Sequence, residues 1–134
     1  MVINMREIKF RAWDKENECM VNIGDGDPYI FTVDEFFRPS LLIWNDDVLG
    51  SFGHVESAIM QYTGIEDKNG IEIYEGDVVT GGHASDEYAV VVYCQDDCAF
   101  KIDTKMWNAL IADCPILIIH GNIHENPELL EKEK

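Results

Sequence analysis

The side chains in this chain best suited to metal or redox chemistry are its four cysteines and four histidines. Cys94 and Cys98 are separated by Gln95-Asp96-Asp97, whereas a zinc knuckle or a thioredoxin-like redox pair leaves two residues between its thiols. With Cys19 and Cys114 they read as reduced, packed thiols rather than as a disulfide framework. His120 and His124 have the i, i+4 spacing that serves zinc when both lie on one helical face, but Gly121 between them and Pro127 beyond argue against a helix there. Gly24-Asp25-Gly26-Asp27 lacks the alternating carboxylates of an EF-hand and reads as a turn. Glu75-Gly76-Asp77 offers two carboxylates, yet acid–base work needs a second titratable group poised beside one of them. A bend whose short carboxylate binds nearby amides is the simpler reading. Tyr62, Tyr74, Tyr88 and Tyr93 would stack single-stranded bases if cations lay among them, but between residues 39 and 100 Lys68 is the only base, so packing across strands is expected. Gly24-x-Gly26 and Gly81-Gly82 lack the context of a phosphate-cradling loop. The expectation is a protein without catalytic residues, metal or cofactor, and not an enzyme.

Charge narrows the partners. Ten basic and 26 acidic residues in 134 leave a formal net charge of −16. Such a chain does not hold nucleic acid by neutralising phosphates and is repelled by anionic membrane surfaces. No apolar run approaches the ~20 residues of a spanning helix, and the opening residues lack a basic segment followed by an apolar one. A cytoplasmic protein is expected. The charge is also uneven. Residues 5 to 15 carry Arg6, Lys9, Arg11 and Lys15 against Glu7 and Asp14, while everything beyond is strongly acidic. Lys9 and Arg11 are expected on the outward face of a first strand, where a basic edge would dock on an acidic body.

Positioning these residues falls mainly to strands. Residues 6 to 13 alternate with period two, Ile8, Phe10 and Ala12 on one face, and Asp14-Lys15-Glu16-Asn17 turns the chain into a returning Cys19-Met20-Val21. Residues 22 to 40 read as a loop with at most one helical turn around Asp34-Glu35-Phe36-Phe37. Leu41 to Trp44 is a short buried strand. Strands follow at Ala58–Ile65, Ile71–Tyr74, Val78–Thr80, Tyr88–Tyr93, Ala99–Ile102 and Ile116–Ile119, with Asp67-Lys68-Asn69-Gly70 and Gln95-Asp96-Asp97 as tight turns. Met106 to Ala112 reads as a short helix or loop. Pro127 to Lys134 reads as a terminal helix capped by Asn126. The fold expected is mainly β: a hairpin lobe over residues 1–57, then a small SH3-like barrel with a short C-terminal helix over 58–134.

Three blocks carry a resemblance. Arg6-Glu7-Ile8-Lys9-Phe10-Arg11-Ala12-Trp13 resembles the opening of the YopX-like family of phage and prophage proteins. Tyr62, Gly64, Asn69, Gly70, Tyr74, Gly76 and Asp77 mark its central block, and Gly121, Asn122, Asn126 and Pro127 its closing block. The match spans most of the chain; it departs at His124, where the family has Tyr, and at Cys19, Glu66 and Ile71, where members often carry Lys. The resemblance implies an SH3-type barrel core, a phage-derived gene and a homo-oligomer, with no assigned activity. The function expected is therefore an accessory protein that assembles with itself and meets a host or phage protein in the bacterial cytoplasm. The alternative is a DNA mimic whose carboxylates occupy the channel of a host nucleic-acid enzyme.

Overall fold

The computed structural model describes residues 7–22, 29–45, 51–81, 87–104, 107–114 and 116–131. The fold is mainly β, with about 57% of the described residues in strands, a curled half-barrel sheet and one short C-terminal helix. Two compact units divide it. One is residues 9–61, and the other is residues 62–134 together with Met1–Ile8.

In the first unit, β1 (Phe10–Asp14) lies between β2 (Cys19–Asn22) and β6 (Ser57–Glu66), both antiparallel to it. A separate three-stranded sheet has β4 (Pro39–Asn45) between β3 (Tyr29–Val33) and β5 (Ser51–His54). Ala12, Val21, Leu41 and Val55 form the core, flanked by Tyr29, Phe31, Ile43 and Ile59.

Three expectations change here. Residues 22 to 40 hold β3, because Tyr29-Ile30-Phe31-Thr32-Val33 is a β-branched and aromatic run that completes a hairpin with β4. β5 was not legible as a strand, since Ser51-Phe52-Gly53-His54 has strand geometry only by pairing with Leu42 to Asn45. Arg11 does not face outward. It is 9% exposed, because its strand is central and Asn22 and Met60 flank it on either side. Arg11 therefore does not contribute to an outward basic face. The Gly24-Asp25-Gly26-Asp27 turn lies outside the described residues.

The last residues of β6 lie in the second unit, where Tyr62 and Glu66 pair with β7 (Glu72–Tyr74). A five-stranded sheet runs β11 (Asn108–Leu110), β10 (Ala99–Asp103), β9 (Ala89–Cys94), β8 (Asp77–Thr80), β12 (Ile118–Asn122). Its core is Ile73, Val79, Ala89, Val91, Phe100, Ile102, Ile111 and Leu117. Met106 to Ala112, expected as helix or loop, instead supplies β11 on the edge beside β10, and Ile111–Asp113 then makes one 3-10 turn that buries Ile111. The last strand starts at Ile118 and continues to Asn122, with a bulge that leaves His120 between the Ile119–Val79 and Gly121–Val78 pairs. Helix α1 spans Glu128–Glu131. The Asn126 carbonyl accepts the Leu129 N–H, while its side chain turns back to the Asn122 N–H instead of capping the helix.

Candidate functional site

The central and closing family blocks lock turns, whereas the opening block lies along β1. Tyr62 and Tyr74 are cross-strand partners, 8% and 6% exposed, with ring centroids 5.5 Å apart. Gly64 lies in the irregular register of β6 at φ 89°, a conformation that disfavours any side chain. Asp67 is the anchor of the turn that follows. Its Oδ1 accepts the Asn69 and Ile71 N–H groups at 2.8 and 2.9 Å, and its Oδ2 accepts the distant Ile119 N–H at 3.2 Å. Burial pushes the Asp67 carboxyl up, but these three N–H donors outweigh it and leave its pKa below the ordinary value. Gly70 donates to the Asp67 carbonyl. Gly76 donates to the Val91 carbonyl and accepts from Ile123, tying the bend to two other segments. Buried Asp77 accepts the Tyr74 N–H at 2.8 Å.

The closing block is built the same way. Asn122, 8% exposed, accepts the His124 and Glu125 N–H groups at 3.0 and 2.8 Å and donates to Glu125 Oε1. A Cβ on Gly121 would run into the Asn126 side chain. Pro127 is exposed, and its carbonyl accepts the Leu130 N–H. In the opening block, Phe10 and Trp13 are half-buried on β1, Arg11 is buried, and Arg6 lies outside the described residues.

The remaining chemistry-bearing residues are dispersed. Cys98 is exposed and the other three cysteines are half-buried, all as free thiols. Burial raises the Cys114 thiol pKa, helped by Asp113. His120 meets Thr80 Oγ1 at 2.8 Å and the edge of the Tyr88 ring. Tyr93 packs edge-on against Phe100. The tyrosines therefore sit in three separate ring pairs. Among the described residues, no three His, Cys, Asp or Glu side chains are placed to hold a metal ion. No described helix is long and apolar enough to cross a membrane.

What sequence reading missed is the outward face of the β3–β4–β5 sheet. Tyr29, Phe31, Leu41 and Ile43 turn toward the core. Their strand neighbours Ile30, Leu42, Trp44 and Phe52 point the other way. Ile30, Trp44 and Phe52 are 40%, 40% and 46% exposed, and the Trp44 and Phe52 rings meet edge-on at 4.8 Å. The β3–β4 turn extends this apolar surface. Phe36 and Phe37 are 66% and 88% exposed. Phe37 sits at φ 61°, which costs a non-glycine residue about 1–2 kcal/mol.

Asp34 holds that conformation. Its Oδ1 accepts the Phe36 and Arg38 N–H groups, its Oδ2 takes the Arg38 Nε–H at 3.0 Å, and its N–H donates to the Arg38 carbonyl. The Arg38 guanidinium lies 5.0 Å from the Phe36 ring centroid. The Arg38 and Phe36 amides and the Arg38 guanidinium keep the Asp34 carboxyl below its ordinary pKa despite some desolvation. Between this turn and the sheet lies a groove of about 580 Å³ lined by Val33, Phe36, Leu42, Glu35, Arg38 and His54, among others. The missed signal was in view: Ile30 and Thr32 alternate with Tyr29, Phe31 and Val33 just before a turn-forming Asp.

These features define a mainly β protein whose described polar residues chiefly lock turns and whose first unit carries an outward apolar face. The chain matches the model of the family described as YopX protein over residues 9–131, and it belongs to that family. Among solved structures it is similar to the protein EF1440 from Enterococcus faecalis, at 23% identity and a TM-score of 0.59 over 94% of this chain and 99% of that one. It is also similar to YopX from Bacillus subtilis, at 21% identity and a TM-score of 0.58 over 94% and 98% of the two chains. These likenesses establish the shared fold. No curated protein matches the chain.

Proposed function

We propose that this chain is a non-enzymatic accessory protein of phage or prophage origin that acts in the bacterial cytoplasm by contact with other polypeptides, assembling with itself and offering an acidic surface to a host or phage protein. The observation that carries the reading is the outward face of the β3–β4–β5 sheet. It displays Ile30, Trp44 and Phe52 in a chain with net charge −16. Contiguous exposed apolar surface rimmed by polar groups marks contact sites on proteins. Multi-angle light scattering and sedimentation velocity on the whole chain test it. Concentration-dependent assembly is expected, and Phe52→Ser is expected to weaken it. A strict monomer at tens of micromolar removes the assembly part. Incubation with nucleic acid and magnesium or manganese is expected to give no turnover, and turnover overturns the non-enzymatic part.

DNA mimicry draws its support from the charge alone. Against it, Asp14, Asp67 and Asp77 are buried, and Asp34 and Asp97 pair with Arg38 and Lys101. The outward negative charge is thus smaller than the formal count. A pull-down with basic host enzymes that recovers none of them counts against this alternative.

A further inference from the structure

We propose that the groove beside the Phe36–Phe37 turn receives a basic polypeptide segment carrying an apolar anchor, an inference that rests on the contact reading above and names the partner of the same face. The floor is apolar, with Val33, Leu42 and Phe36 among its lining residues. Its volume of about 580 Å³ takes one or two large side chains. The rim is acidic in effect. Asp34 and Arg38 cancel each other as a bonded pair, which leaves the exposed Glu35 carboxylate beside the groove.

The surroundings reinforce that sign. Within residues 9–61, the unit that holds the groove, four basic residues stand against ten acidic ones, so the approach to the groove attracts bases and repels acids. The turn already displays the chemistry of recognition, since Arg38 stacks over Phe36 while paired to Asp34. The turn is also held ready. Asp34 accepts three hydrogen bonds within it and fixes Phe37 outward in a left-handed conformation that glycine would adopt without strain. Holding a bulky ring there against that strain is what a preformed recognition loop requires, because little ordering remains to be done on binding.

Three synthetic peptides of equal length test the groove by calorimetry and by amide shifts in NMR spectra of the whole chain. The first is lysine-rich with a central leucine–phenylalanine pair. The second replaces that pair with serines. The third keeps the pair but carries glutamates in place of lysines. The first is expected to bind, with shifts centred on Thr32 to Arg38 and His54, and the other two at least about tenfold more weakly. Glu35→Lys is expected to weaken the first peptide about threefold to tenfold, and Phe36→Ser about tenfold. Phe37→Gly is expected to weaken it while raising the melting temperature, so lost binding cannot be put down to misfolding.

Equal binding of the lysine–serine peptide overturns the proposal, as do shifts centred elsewhere or an unchanged affinity in Phe36→Ser. Self-association that the same variants abolish, with no peptide bound, assigns the groove to a second copy and also overturns it. Light scattering separates the two readings: a monomer that still binds the first peptide removes self-assembly and keeps the groove, whereas an assembly that binds none does the reverse.

Discussion

Asp67 is where a single side chain bears most visibly on the second unit. Its carboxylate accepts two N–H groups inside its own turn and a third from Ile119, 52 residues away. The Asp67→Asn change keeps an oxygen for Asn69 and Ile71 and turns an amide toward the Ile119 N–H. Two donors then face each other in a residue that is 7% exposed. A buried unsatisfied donor costs about 1–3 kcal/mol, so a loss of about 2 kcal/mol is expected, or about 6–10 °C in melting temperature. Asp67→Ala releases all three donors and is expected to lose about 3–4 kcal/mol.

The pH dependence follows from the sign of the shift. The folded carboxyl lies below its ordinary value, so its stabilisation is complete above the unfolded pKa, about 3.9, and disappears as pH falls through the lower, folded value. Melting curves of parent and Asp67→Asn should therefore differ most near neutrality and converge in acid. Hydrogen exchange at the Ile119 amide should accelerate in the variant. A melting temperature within about 2 °C of the parent's, together with unchanged exchange at Ile119, would refute the reasoning.

Other expectations can be checked alongside. Phe37→Gly and Cys98→Gly each replace a non-glycine residue at positive φ and should stabilise the chain by about 1 kcal/mol in urea unfolding. Tyr29→Phe removes the hydroxyl that donates to buried Asp14 at 2.7 Å and should lower stability by about 1–2 kcal/mol. Asp14 is lowered because the Tyr29, Asn17 and Glu16 donors outweigh its burial, so the acid limb of the stability curve should flatten in Tyr29→Phe. The same bond and desolvation push the Tyr29 hydroxyl's pKa well up, so its phenolate signal should be missing from an alkaline titration of the folded chain. Gly121→Ala should destabilise by about 2 kcal/mol through its clash with the Asn126 side chain, and by less in an Asn126→Ala background, as a double-mutant cycle would report.

Much of the second unit was legible without coordinates. Alternating β-branched runs and Asn-Gly or Gln-Asp-Asp turns are local signals, and β6 to β10 follow them closely. The family blocks were legible too, because a glycine at positive φ or a turn-capping carboxylate acts on residues within a few positions. The first unit was read less well. β5 has almost no strand propensity of its own and exists because β4 pairs with it. The alternation of β1 was read correctly, yet whether Arg11 faces water depends on which strands flank it, and that is a fact of sheet order.

Chain composition and local pattern by themselves settled the net charge of −16 and the β class, since charge sums and period-two alternation do not depend on what packs where, and three short blocks carried the resemblance to the family. Tertiary structure alone decided that Asp67 holds Ile119, that Arg11 is buried, and that Ile30, Trp44 and Phe52 share one exposed face with the Phe36–Phe37 turn beside it. Those outcomes depend on the register between strands distant in sequence, where a shift of one residue exchanges the core face for the solvent face.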